Sequence, residues 1–130
     1  MTDERKSAAH RVAQANSLAK TDQAQTATIR DLNDQFRRTL QGGSIVVTAW
    51  IHALGPARLQ QLIEQVATFD QFTADNDPHG EHDFGAFEDQ GERFFWKIDY
   101  YDPTLTVGST DPADPTKTAR VLTLMLADEY

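Results

Sequence analysis

The stretch Asp75–Asp102, DNDPHGEHDFGAFEDQGERFFWKIDYYD, constrains the chain most. It opens with turn formers, Asp75, Asn76, Asp77, Pro78 and Gly80, so Phe72–Gly80 reads as a loop. Two runs rich in aromatic and β-branched residues then flank Gly91, and this reads as a β-hairpin. With Asp89, Gln90 and Gly91 as a three-residue loop, Phe84 faces Trp96, His82 faces Ile98 and Asp83 faces Lys97. Glu88 then meets Glu92 at the turn. That register separates an apolar face from a mixed one, and patterning of this kind sets register.

The remaining segments read as cover for the hairpin. Residues 1–25 carry little apolar periodicity and read as an N-terminal arm, a frayed helix or disordered. Residues 26–130 read as a single domain. Ile29, Leu32, Phe36 and Leu40 recur at helical spacing, and Gly42 and Gly43 follow as a stop signal. Asp31 and Asp34 are expected on the exposed side of that helix, near Arg38. Ser44–Trp50, SIVVTAW, reads as a strand, with Ile45–Trp50 in the sheet. Pro56 suits a first helical turn, and Leu59, Leu62, Ile63, Val66 and Phe69 make an amphipathic helix of Pro56–Phe69. Tyr101–Pro115 holds three Asp-Pro pairs and reads as a stiffened loop, with a short strand at Leu105–Val107. Thr116–Ala127 is apolar over a broad arc and reads as a buried closing helix. The fold class is α+β. A small, mainly antiparallel sheet of Ile45–Trp50, Glu81–Glu88 and Arg93–Tyr101 packs one face on amphipathic helices, with Trp96 in the core.

Charge narrows the function classes. The net charge is −8, and Asp70–Asp114 holds twelve acids against only Arg93 and Lys97, a net −10. Direct binding to nucleic acid needs clustered Lys and Arg, so it is not expected. A soluble acidic surface is the plain reading. The sharper one is a surface that docks on a basic protein partner or mimics nucleic acid. There are no cysteines, which excludes disulfides and thiolate metal sites. No apolar run approaches the length of a membrane span, and the first 20 residues lack a signal-peptide centre. A cytoplasmic location is expected.

The polar cluster is Asp75, Asp77, His79, Glu81, His82 and Asp83. Asp77, His79 and His82 are the candidate ligands for a divalent metal, and no other cofactor is expected. The spacing matches no specific zinc motif, and such clusters are common turn formers. His79, His82, Asp83 and Lys97 are the catalytic candidates of a metal-dependent, hydrolase-like enzyme. Lys97 between acids is explained more simply by a cross-strand ion pair. As a protein-binding surface, the candidates are Asp75, Asp77, Glu81, Asp83, Phe95, Lys97 and Asp99, with Phe87 and Tyr101 on the same face. Gly42-Gly43 lacks the spacing and the lysine of a phosphate loop. Ser44 has no adjacent histidine, and His52, just after a strand, reads as structural.

Three blocks resemble the bacterial domain-of-unknown-function family 3768. They are Leu32–Gly43 (LNDQFRRTLQGG), Phe72–Asp102, and Gly108–Tyr130 (GSTDPADPTKTARVLTLMLADEY). With the Pro56–Phe69 helix the likeness covers Ile29–Tyr130. The resemblance carries over no activity. It implies a small cytoplasmic protein of a plasmid or other mobile element, in an accessory role such as countering a host defence or supporting plasmid maintenance.

Overall fold

The computed structural model describes residues 22–130. All but the last four positions of the expected arm lie outside them, and residues 22–25 already belong to the first helix. The described residues run as α1 (22–39), β1 (Gly43–Val47), α2 (Ala49–His52), α3 (Pro56–Ala67), β2 (Phe84–Asp89), β3 (Glu92–Tyr101) and β4 (Ala119–Leu126), with a final turn at Ala127–Glu129. The strands form one sheet in the order β1-β4-β3-β2. Only β1 and β4 run parallel, so the sheet is mainly antiparallel and the fold is α+β.

The closing segment corrects an expectation. Thr116–Ala127 is not a helix; it supplies β4, a central strand of the sheet. Arg120, Leu122 and Leu124 alternate onto one face, while Met125 is buried on the other. A strand with neighbours on both sides is apolar on both faces, so it shows no alternation to mark it in the sequence. The sheet therefore has four strands rather than three, and helices α1 and α3 cover it without a C-terminal helix.

The hairpin exists, but its register is shifted by one residue. Gln90 and Gly91 form a two-residue turn with φ of 51° and 80°, the geometry of a type I′ turn. Phe84 therefore faces Lys97, Gly85 faces Trp96, Phe87 faces Phe94 and Glu88 faces Arg93. This register sets Glu88 opposite Arg93, while Asp89 faces Glu92 at the turn and pairs instead with Arg58. It also sets Gly85 against the indole of Trp96, where a side chain would not fit.

Two shorter differences have local causes. β1 stops at Val47 because the Thr48 hydroxyl accepts from the Ile51 N–H and starts α2, so Trp50 is helical and partly exposed. Leu105–Val107 forms no strand, only a bridge of Tyr101 to Gly108. The Asp102 carboxylate organises that loop by accepting from the N–H groups of Thr106 at 2.8 Å and Val107 at 3.2 Å. The Thr104 hydroxyl, followed by these N–H groups, lowers the pKa of Asp102 to about 2.

The core lies between the helices and one sheet face. Phe36 of α1, Ile51 of α2, and Leu62 and Val66 of α3 pack on Phe94, Trp96, Ile98, Leu122 and Leu124. Trp96 is fully buried. The opposite face carries Val46, Phe84, Ala86, Phe95, Lys97, Asp99 and Tyr101 by the same alternation. There Val46 is 44% exposed, and the Lys97 and Asp99 side chains are each 38% exposed. Tyr130 reaches back over this face, edge-on to Phe84 and Phe95.

Candidate functional site

The expected polar cluster falls on the loop between α3 and β2, and α1 holds that loop. The buried stripe of α1 is Ile29, Asn33, Phe36 and Arg37, rotated from the purely apolar reading. Leu32 is only half-buried and Leu40 is exposed, so polar side chains replace them against the core.

Arg37 is fully buried. Its Nη1 donates to the carbonyls of Val66 at 2.9 Å, Ala67 at 3.2 Å and Phe69 at 2.7 Å, which caps the end of α3. Its Nη2 donates to Asp34 at 3.0 Å, and its guanidinium lies over the rings of Phe72 and Trp96. Burial lowers the pKa of Arg37, opposed by Asp34.

Asp34 also takes His82. The imidazole Nδ1 lies 2.9 Å from Asp34 Oδ1, and the ring stacks on Phe72 at 3.8 Å. The other ring nitrogen is 3.7 Å from Asp77. Asp77 is itself buried, and its carboxylate accepts from the His82 N–H at 3.2 Å. Both nitrogens of His82 thus face carboxylates that fold the loop. The expectation that Asp77 belongs to a displayed acidic surface is corrected: its carboxylate turns inward to hold the backbone of His82, which sits at φ 55°. His82 likewise is not paired with Ile98; Ile98 donates to the carbonyl of Asp83 at 2.8 Å.

A second polar group lies on the far side of Asn33. The Asn33 amide donates to the Glu81 carbonyl at 3.0 Å and to Tyr100 Oη at 2.7 Å, while its oxygen accepts from Arg120 at 2.8 Å. Tyr100 donates to the Glu81 carboxylate at 3.4 Å. Burial raises Glu81, and neighbouring Asp83 adds to it. Burial also raises Asp83 and Tyr100.

The structure sets Lys97 apart from the other catalytic candidates. His79 is exposed beside Pro78 and the start of α1, His82 is turned to Asp34, and Asp83 lies on the helix-covered side of the sheet. Lys97 lies on the opposite face, 3.0 Å from Asp99 on its own strand, so the expected pair with Asp83 is absent. Among the described residues no three His, Asp or Glu side chains converge to hold a metal ion. Of the binding-surface candidates, Phe95, Lys97 and Asp99 share the uncovered face. Asp75 is exposed on the loop, and Glu81 and Asp83 are half-buried. Asn33, Asp34, Arg37 and Arg120 join the cluster although their segments read as plain helix. The one sequence signal was helical spacing, which sets Asn33 and Arg37 four residues apart beside Phe36.

The fold and its internally bonded polar cluster define a small α+β protein with an open sheet, one face helix-covered and the other without a covering helix among the described residues. Among the described residues, no helix is long and apolar enough to cross a membrane. The family model described as Protein of unknown function (DUF3768) matches residues 47–129, and the chain belongs to that family. The match runs from Val47, the last residue of β1, to the final turn; it leaves out α1 and the rest of β1, and so the block Leu32–Gly43. No match was found among curated proteins or among solved structures.

Proposed function

We propose that this protein acts by binding another protein, without catalysis, using its bare sheet face and the acids around it. The observation that carries this is the face itself. It groups Phe84, Phe95, Tyr101 and Tyr130 with the exposed Lys97–Asp99 pair, an aromatic centre with a charged rim, as binding surfaces have. The net −10 of Asp70–Asp114 gives the domain an acidic field that favours a basic partner, with attraction that speeds encounter. An accessory role in a plasmid or other mobile element, in the cytoplasm, agrees with such a part and with the family resemblance.

The polar cluster supports the same reading. Its side chains bond one another and the backbone, and so hold the loop to α1. A hydrolase would need His79, His82 and Asp83 to act around one point, whereas the His82 ring is taken up by Asp34 and Phe72.

The test is capture from a bacterial lysate by the full chain and by Phe95→Asp, which changes the bare face alone. A basic protein retained by the wild type and lost by the variant is the expected result. Equal capture by both rejects the face. A melt run with and without EDTA provides the contrast: a chelator-sensitive melt would favour the metal enzyme.

A further inference from the structure

Resting on the binding reading above, we infer that the partner is held as an extended, basic strand added to the free edge of β2. Among the described residues β2 is an outer strand, hydrogen-bonded only to β3. The donation from Ile98 to the Asp83 carbonyl, together with the register, assigns the direction of each backbone group. Asp83, Gly85, Phe87 and Asp89 turn their N–H and C=O groups inward to β3. Phe84, Ala86 and Glu88 turn theirs outward, and none of these meets a protein partner among the described residues. Such a row of free groups is a template for another strand.

Beside this row runs a groove of about 640 Å³ between β2 and the end of α3. Ala86, Phe87 and Glu88 form one wall, and Thr68, Phe69 and Asp70 form the other. Edge strand and helix end thus bound a channel in which an added strand can lie. Side chains of an added strand alternate. Every second one would enter the groove against Phe69 and Phe87, which suits apolar residues. The intervening ones would lie on the bare face near Phe84 and Glu88.

Charge selects the occupant. Asp70 and Glu88 are exposed on either wall, whereas Asp89 at the strand end is already paired with Arg58. Arg93, the one basic residue of the groove, faces Glu88 across the hairpin and lies over the Phe95 ring. A second copy of this chain would set two acidic edges together, each on a molecule of net charge −8. An extended segment that alternates apolar with Lys or Arg residues meets the groove and its charge together.

The experiment pans the full chain against a displayed library of random nine-residue peptides. Enriched peptides are then synthesised plain and with backbone N-methyl groups on either alternate set of residues. The expected binders are basic and alternate with apolar residues. Methylation of one set, the one facing β2, weakens binding about tenfold or more, and methylation of the other is tolerated within about threefold. Ala86→Pro removes an outward N–H without touching the β2–β3 ladder, and should lose binding similarly. Because methylation alters only the peptide, it decides the matter even if that variant misfolds. Basic binders equally sensitive to both methylations, or binders that are acidic, overturn strand addition and leave the binding reading standing. No enrichment also overturns strand addition, while the lysate capture decides the broader reading independently.

Discussion

Gly85 lies against the indole of Trp96: a Cβ at residue 85 would stand 2.7 Å from Cζ2 and closer still to Nε1. The two residues face each other across the hairpin, and Trp96 is fully buried, so the ring has no free side to move to. Gly85→Ala should therefore destabilise the protein by about 1–3 kcal/mol through overpacking. Trp96→Phe removes the atoms that clash and also the buried Nε1, which has no hydrogen-bond partner among the described residues. In that background Gly85→Ala should cost less, a coupling of at least about 0.5 kcal/mol. Urea unfolding of the four proteins measures it, and strict additivity would show that the ring does not need the glycine.

That contact also shows where the sequence could and could not be read. α3 was legible because its stripe is purely apolar and Pro56 marks its start. The hairpin was legible from composition, but its register depended on whether Asp89 belongs to the turn. Gln90 adopts a left-handed conformation that non-glycine residues seldom take, so the shorter turn left little signal. β4 was hidden because a strand flanked on both sides can be apolar on both faces. In the site, the loop acids were visible, but which of them turn inward was not. That depends on Asn33 and Asp34 of α1, about fifty residues earlier: Asn33 holds the Glu81 carbonyl, and Asp34 holds the ring of His82, whose backbone N–H donates to Asp77, contacts that leave no local pattern in the loop.

Arg37 joins α1 to the end of α3 and balances Asp34 in a buried setting. Arg37→Met keeps most of the volume but strips three carbonyls of a donor and leaves Asp34 with fewer partners. The expected loss is about 3–5 kcal/mol, as for one half of a buried pair. Asp34→Asn combined with Arg37→Met should lose less than the sum of the single changes. Denaturant titration is the measurement, and a loss below about 1 kcal/mol for Arg37→Met would reject the capping role.

Glu81 and Asp83 give a pH dependence with a definite sign. Burial raises both above their ordinary values of 4.5 and 3.8. In that window the folded chain holds protons that the unfolded chain has released, so this contribution to stability falls as pH rises. It is fully present below the unfolded values and is lost as pH passes through the folded ones. Glu81→Gln with Asp83→Asn removes it. The double variant should gain on the wild type as pH is raised from about 3.5 toward neutrality. Parallel stability curves for the two proteins would mean that these carboxyls are not held in a desolvated place.

Asp75 and Asp77 are two residues apart and carry the same charge, yet the structure gives them opposite roles. Asp77 is buried and accepts from the His82 N–H, whereas Asp75 is exposed. Asp77→Asn leaves an uncharged acceptor for that N–H and weakens its approach to the His82 ring. Asp77→Ala removes the acceptor altogether and should cost about 1–3 kcal/mol, the penalty for a buried donor without a partner. Asp75→Lys should leave stability within about 0.5 kcal/mol and act instead on association. Combined with Asp70→Lys at the groove, it should slow capture of a basic partner at low salt and make little difference at high salt. Stopped-flow association with the protein recovered from lysate, at two salt concentrations, tests this. If the Asp70→Lys, Asp75→Lys protein binds at the wild-type rate at low salt, the exposed acids serve solubility and do not steer the partner.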